Sequence, residues 1–569
     1  MKLDADRPIF PVSPGGRFRE LLDVVAVAVA FFLLSFSPAP DVNEAHYWTK
    51  AKHFWDPSFC PNDMFLNSAD AHWSFYVTLG QLTRWFPLES AAWGGRGIVW
   101  ISMAVGWCAL ARCFGLRGYR AWLSAGLMVV ATRWCHLSGE WVVGGAEAKG
   151  LAFAAVFFSM AAACRGRWGT AFLLAGMGAG FHVLVGGWTV LCLLLVGIRH
   201  WKMLQPRLTA AGLGIVLGGL CSLAGLLPAL ALSYGAPSEY VTAANTIYVQ
   251  QRLPHHLVFW SFQPVQLVMF CGLLAAWLLL LSAAPRMAQP RPRNDARKIL
   301  NDLILASLGL VMVGLGLSLA VLFAGLGNDS FVGLLRYYWF RTADVFLPVG
   351  FVLLACELVF DRFEFKFVGP ERLWFRARIF PLFSIGIAML CLTWEGYRVA
   401  SQVIEDPRPN ADRASLPQDR DRQRTQAIFD HWQSVCSWIK NHTAKDDLFL
   451  TPRSQQTFKW YAERSEVVNW KDVPQDSRSL LEWQQRGQDC APLWSSDLGI
   501  AIQDPVAIHE LAQKYEADYI VMTQYAYELQ QRFGRQLPYR IVYPDSPEQR
   551  TYYVVLRVDQ WQIPTPTPR

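Results

Sequence analysis

Apolar residues fill the first four hundred positions in long blocks, every second one followed by a short cluster of arginine and lysine, and then give way to an ordinary mixed sequence. A helix needs about 20 mostly apolar residues to cross the hydrocarbon core of a bilayer, sometimes as few as about 17. Such blocks lie near residues 21–39, 97–114, 121–138, 147–164, 168–183, 184–199, 208–232, 264–284, 303–325, 343–360 and 379–399. The fifth and sixth form one continuous apolar run, 168–199, interrupted by Gly178, Gly180, Gly186 and Gly187. Length alone permits one tilted helix there, or two.

The basic clusters decide between them. Cations gather on the cytoplasmic side of membrane helices. Arg7, Arg17 and Arg19 precede the first block. Arg112, Arg117 and Arg120 follow the second, Arg165 and Arg167 the fourth, and Arg199, Lys202 and Arg207 the sixth. The eighth is followed by Arg286, Arg291, Arg293, Arg297 and Lys298, and the tenth by Arg362, Lys366, Arg372, Arg376 and Arg378. All fall on one side if 168–199 crosses twice. The pattern predicts eleven crossings, a cytoplasmic N-terminus and an extracytoplasmic C-terminal part. The outer face then collects loops 40–96, 139–146, 233–263 and 326–342. Gly94, Gly95 and Gly97 are read as breaking any helix before the second crossing. The first block is too long for a cleavable signal and lacks the small-residue exit of one.

Residues 400–424 mix charge signs with proline and read as a linker. Ile428, Phe429, Trp432, Val435, Cys436 and Ile439 then recur at helical spacing. Residues 448–452, 518–522, 540–543 and 552–558 read as short apolar strands. Asp504-Pro505 opens a helix that should run to Tyr515. Helices alternating with strands predict an α/β domain over 425–569. The fold class is mainly α: a polytopic membrane helical bundle with a C-terminal extracytoplasmic α/β domain, which serves as a lid, an acceptor-facing module or a structural part.

Composition agrees with this division. Of 569 residues, 53% are hydrophobic and 17% charged, against about a quarter charged in soluble domains. The net charge of +7 resides largely in the helix-orienting clusters, so no nucleic-acid partner is implied. The 12 cysteines include no CxxC pair. A Cys436–Cys490 disulfide is left open by the sequence.

Three outer stretches carry candidate chemistry. In DVNEAHYWTK, Asp41 and Glu44 are three apart, so a helical turn sets both carboxylates on one face, with His46, Tyr47 and Lys50 close behind. In SGEWVVGGAEAKG, Glu140 and Glu147 bracket a short turn and Lys149 follows. In LLRYYWFRTAD, Arg336 and Arg341 flank Tyr337 and Tyr338. Arginine binds phosphate through a planar fork and stacks on aromatic rings, and outer-side cations run against the orientation rule. Asp344 is spaced to pair with Arg341. The plain alternative for all three is an interfacial aromatic belt with solvated charges. His182 reads more readily as a packing residue than a ligand, and the adjacent His255 and His256 have poor metal spacing.

An acid-rich first outer loop (NEAHYW), a second acidic outer loop (EAK), an RYYWFR stretch and a C-terminal outer domain with WIKNHTAKDDLFLTP and YEADYIVM together resemble the GT-C superfamily of membrane glycosyltransferases. The resemblance is to the architecture of protein mannosyltransferases, aminoarabinose transferases and oligosaccharyltransferases, in a bacterial branch. The first-loop acids stand as DxxE here rather than adjacent. The resemblance implies transfer of a sugar from a polyprenyl-phosphate donor, a membrane lipid, to an extracytoplasmic glycan, lipid or protein acceptor, at a bacterial inner membrane. It implies catalytic roles for Asp41, Glu44 and Glu147. Substrate binding would fall to His46, Tyr47, Lys50, Glu140, Lys149, Arg336, Tyr337, Tyr338 and Arg341. No cofactor is required by any motif, and a divalent metal ion is compatible with the acids. A lipid phosphate is a good leaving group that needs cations, whereas the acceptor hydroxyl needs a general base. A base opposite the leaving group inverts the sugar. The competing readings are a flippase or transporter of a lipid-linked substrate, and a non-catalytic scaffold with a partner-binding outer domain.

Overall fold

The structure, a computed structural model, describes residues 14–283, 291–324, 329–364, 371–416, 421–497, 504–534, 537, 539–546 and 549–558. Arg7, Arg286 and Lys366, read above as orienting cations, lie outside the described residues, as do positions 327–328 of the fourth outer loop. Each of the eleven apolar blocks falls on a helix. Among the described residues, five helices are long and apolar enough to cross a membrane: Leu88–Phe114, Trp201–Ala231, Pro264–Ser282, Arg293–Phe323 and Arg341–Phe360. Ala148–Cys164, Trp168–Phe181 and Val183–Arg199 are shorter and equally apolar. Leu213, Val216, Leu220, Leu227, Val265, Val268 and Leu279 are exposed along two of these helices. Apolar faces this extensive suit lipid rather than water, and the chain is an integral membrane protein.

The run 168–199 is two helices, Trp168–Phe181 and Val183–Arg199, separated at His182, whose backbone is extended at φ −145° and ψ 102°. Gly186 allows the fold-back: a Cβ there would collide with the Ala179 backbone. The first of the pair also lies against Leu208–Ala231 with Gly169, Gly176 and Gly180 facing Ala210, Gly218 and Cys221. Small residues let membrane helices meet backbone to backbone, where dispersion replaces the missing hydrophobic drive.

The first outer segment is largely helical: Glu44–Trp55, Trp73–Val77 and a 3₁₀ turn Leu79–Arg84. The expected break at Gly94, Gly95 and Gly97 does not occur, because the helix Leu88–Ala111 runs through all three. Gly95 serves packing instead. A Cβ there would collide with the indole of Trp48, which is fully buried.

The C-terminal domain holds a five-stranded sheet of β1 (Leu448–Leu450), β2 (Ser465–Glu466), β3 (Tyr519–Thr523), β4 (Arg540–Tyr543) and β5 (Tyr553–Arg557), in the order β2-β1-β3-β5-β4. β1 pairs in parallel with β2 and β3, and β5 antiparallel with β3 and β4. The four strands read from sequence are present. The two-residue β2 and the helix Ser477–Asp497 were not anticipated. Helix Arg422–His442 covers one face with Trp432, Val435 and Ile439. On the other face Leu450, Trp483 and Ile520 share one core with Tyr248, Val249, Leu335 and Tyr338. The domain therefore closes over the outer loops through a continuous apolar interior. Cys436 and Cys490 belong to different cores and are both free thiols, so they form no disulfide.

Part of the 400–424 stretch is fixed in place. A short helix, Asn410–Ser415, receives the Pro40 carbonyl on the Ala411 amide at 3.2 Å. Its Asp412 accepts hydrogen bonds from Thr457 at 2.7 Å and Tyr461 at 2.8 Å.

Candidate active site

Helix Glu44–Trp55 is anchored at its first residue. The Glu44 carboxylate accepts from Arg96 Nε at 2.8 Å and Nη2 at 2.6 Å, from the Ala146 amide at 2.6 Å and from the Asp41 amide at 2.8 Å. Asp41 accepts from the Gly145 amide at 3.1 Å and from Asn410 at 2.9 Å. Gly145 is required at this junction, since a Cβ would meet Asp41 Cβ at 2.8 Å and Glu44 Cδ at 2.9 Å. These bonds register the first outer segment against the turn before helix Ala148–Cys164. The side chain they turn inward is Asn43, which donates to Glu147 Oε1 at 2.9 Å.

Glu147 caps helix Ala148–Cys164 from an extended conformation, and its side chain leaves the helix end for the cavity. Lys149 Nζ stands 3.6 Å from Glu147 Oε2, 3.4 Å from Glu140 Oε1 and 3.8 Å from the centre of the Trp141 ring. Glu140 Oε2 pairs with Arg341 Nε at 2.5 Å. Arg341 also contacts His182 Nε2 at 3.2 Å and stacks on Tyr338 at 3.9 Å. Tyr338 adopts φ +54°, a left-handed conformation uncommon for an aromatic residue, in the turn that leads into the Arg341 helix.

Around this chain of charges lies a cavity of about 320 Å³. Its walls include His46, Tyr47, Glu140, Glu147, Lys149, Tyr338 and Arg341 from the residues singled out in sequence. Arg252, Lys471, Val473 and Gln475 also line it, so the C-terminal domain helps to enclose it. The Tyr47 hydroxyl lies 2.9 Å from His72 Nε2. Burial, aided by Lys459 among other cations, lowers His46 to about 3. Burial, with His46 and Arg341, lowers His72 to about 3. Both imidazoles are therefore neutral near pH 7 and act as hydrogen-bonding groups.

Six residues singled out in sequence lie elsewhere. Asp41 lines an adjoining cavity of about 410 Å³ that shares Gly139 and Trp141 with the first and holds Arg133, Arg398 and Arg413. Glu44 is wholly buried and its oxygens are committed to Arg96 and backbone amides. Lys50 is buried and donates to the carbonyls of Phe65, Leu66 and Ser68 at 2.8–3.2 Å, which shapes the loop. Arg336 donates to Asn245 at 3.0 Å and to the Gln475 carbonyl at 2.5 Å. Tyr337 is half exposed, its carbonyl accepting from Trp188 at 2.9 Å. Asp344 does not pair with Arg341. It accepts from the amides of Leu137 at 2.6 Å and Ser138 at 2.9 Å, holding that turn.

Sequence reading missed Asn43, His72, Tyr248, Arg252, His256 and Lys471 as lining residues, and gave His182 a packing role. His72 stood in the same acid-rich loop and could have been included. Nothing local distinguished Arg252 or Lys471. Among the described residues no group of three His, Cys, Asp or Glu side chains could hold a metal ion. Asp41 and Glu147 face different cavities, so these two carboxylates do not share a site.

Residues 430–490 match a family described as a domain of unknown function, DUF6798. No curated protein matches the sequence. Among solved structures, the chain is similar to the archaeal oligosaccharyltransferase AglB from Archaeoglobus fulgidus in complex with an inhibitory peptide and a dolichol-phosphate. That likeness has 12% identity, covers 97% of this chain and 76% of the other, and has a TM-score of 0.42. An Archaeoglobus fulgidus oligosaccharyltransferase in complex with Zn and sulfate matches at 13% identity, over 95% and 74% of the two chains, with a TM-score of 0.42. ArnT from Cupriavidus metallidurans in the apo state matches at 12% identity, over 96% and 99%, with a TM-score of 0.33.

Proposed function

We propose that this protein is a membrane glycosyltransferase that moves a sugar from a polyprenyl-phosphate-linked donor to an extracytoplasmic acceptor, with Glu147 as general base. The observation that supports it most is the Glu147–Lys149–Glu140–Arg341 chain of alternating charges along one wall of the cavity. In this reading Lys149 and Arg341 receive the departing phosphate, and Glu140 holds both cations in place before the donor enters. Glu147 takes the proton from the acceptor hydroxyl as its oxygen bonds to the anomeric carbon. The bond from that carbon to the phosphate oxygen breaks, and its electron pair leaves on the phosphate. Attack opposite the leaving group inverts the anomeric centre.

The first outer segment turns an amide, Asn43, towards the cavity and its two carboxylates away. Asn43 cannot take a proton, but its Nδ2 orients Glu147. Asp41 is then a positioning residue that fixes the Gly145 turn. The outer face is the natural side for this chemistry, with the N-terminus cytoplasmic. A scaffold has no need of a charged cavity between its domains. The buried carboxylates Glu357 and Glu395 are held internally, Glu357 by Arg297 at 2.6 Å and Glu395 by Arg133 and Arg398, which argues against their serving as a transport path.

The test is transfer from a panel of polyprenyl-phosphate-linked radiolabelled sugars by the full chain in nanodiscs. Glu147→Gln should lower turnover by about a hundred- to ten-thousandfold with donor binding retained. Asp41→Asn should do less. Equal turnover for Glu147→Gln and wild type would remove Glu147 as the base.

A further inference from the structure

Beside the cavity lies a smaller pocket of about 210 Å³, walled by Trp470, Trp483 and Trp494 with Gln251, Gln488 and Arg453. Arg252 lines both spaces. The indole N–H groups of Trp483 and Trp494 are spent on the carbonyls of Asn469 at 2.8 Å and Thr451 at 3.1 Å. What these two rings offer the pocket is apolar surface. The Trp470 ring packs against Trp483 at 5.1 Å between centres. Both guanidinium groups stack on it, Arg453 at 4.2 Å and Arg252 at 5.4 Å from its centre.

Two guanidinium groups meet at this pocket, and the nearby Asp472 attracts Arg252 without a direct ion pair. Among the described residues, neither Arg252 nor Arg453 makes an ion pair or a side-chain hydrogen bond, and the buried Arg252 Nε has no partner. Asp472, a nearby carboxylate, lies 2.6 Å from Lys459 and is held there. Lys471 adds a third cation on the cavity side. The guanidinium groups are left without a direct hydrogen-bonded partner, and such groups bind carboxylate and phosphate through paired donors. Indole rings present flat apolar faces that suit the C–H face of a sugar.

We infer that this pocket is a subsite for an acidic sugar unit, carrying a carboxylate or phosphate, of the acceptor glycan. It rests on the reading of the adjoining cavity as a sugar-transfer site. The acceptor is favoured over the donor because the pocket is built from the C-terminal domain and loop residues Gln251 and Arg252, with no residue from a long apolar helix.

The experiment is equilibrium calorimetry on the full chain in nanodiscs with three probes: a disaccharide ending in glucuronate, its neutral glucose counterpart, and inorganic phosphate. The acidic disaccharide should bind at least about tenfold more tightly than the neutral one. Arg453→Gln should abolish that preference, and Arg453→Lys should keep part of it. Glu147→Gln should leave it intact, so a failed transferase reading and a failed subsite separate cleanly. Equal affinity for the two disaccharides, an unchanged preference in Arg453→Gln, or phosphate binding as tightly as the acidic disaccharide would each overturn the proposal.

Discussion

Glu44 and Arg96 form a buried ion pair, with Nε and Nη2 of the guanidinium 2.8 and 2.6 Å from the two carboxylate oxygens and both side chains essentially inaccessible to solvent. The pair ties the first helix of the outer segment to helix Leu88–Ala111 and, through the Ala146 amide, to the turn that presents Glu147. Breaking one partner of such a pair strands a charge and costs about 3–5 kcal/mol, whereas replacing both with apolar residues is often near neutral. Glu44→Gln should therefore lower the thermal midpoint strongly. Glu44→Leu with Arg96→Met should recover most of the loss. Unchanged midpoints in Glu44→Gln, with turnover alone reduced, would return Glu44 to the chemistry.

The two arginines of the RYYWFR stretch should separate. Arg341 meets Glu140, His182 and the Tyr338 ring at once, which a lysine cannot reproduce. Arg341→Lys should weaken binding of a polyprenyl-phosphate donor about ten- to hundredfold. Arg336, committed to Asn245 and the Gln475 carbonyl and not itself lining the cavity, should tolerate lysine with donor affinity near wild type. Titration of both variants in nanodiscs decides it, and equal losses would place Arg336 in the donor site.

Gly186 and Gly187 are neighbours with opposite surroundings. A Cβ at Gly186 runs into the backbone of Ala179, while one at Gly187 meets nothing within 4 Å. Overpacking typically costs about 1–3 kcal/mol, and removing a glycine from a helix gains about 0.5–1 kcal/mol. Gly186→Ala should lower the unfolding midpoint in detergent and Gly187→Ala should hold or raise it. Matching midpoints would mean that the two helices do not fold back on each other this closely.

Asp412 supplies a pH signature outside the membrane. Burial raises its carboxyl from 3.8 to about 6, against the hydrogen bonds of Thr457 and Tyr461 and the charge of Arg408. A folded value above the unfolded one means that the folded state binds the extra proton. Its contribution is complete below about pH 4 and is lost as pH rises through about 6. Wild-type stability measured from pH 4 to 7 should fall more steeply than that of Asp412→Asn, whose amide never ionises. Parallel curves would show that Asp412 is not buried in this way.

The sequence by itself determined the secondary structure of the membrane part and the α/β character of residues 425–569. Apolar length, basic clusters and strand-sized runs are local signals, and each written block became a helix or strand. It also named the three stretches that meet at the cavity, because acids and arginines beside membrane helices are costly enough to stand out. Which side chain of each stretch faces inward was a tertiary matter. Asp41 and Glu44 were expected on one helical face, but the helix begins at Glu44, and Arg96, Gly145 and Asn410 hold the two carboxylates away and leave Asn43 opposite Glu147. Gly94, Gly95 and Gly97 looked like a helix break, but the helix runs through all three and Gly95 makes room for Trp48. Arg252 and Lys471 gave no local sign, since their place depends on a C-terminal domain closing over loops two hundred residues distant, a contact set by a shared apolar core rather than by any pattern along the chain.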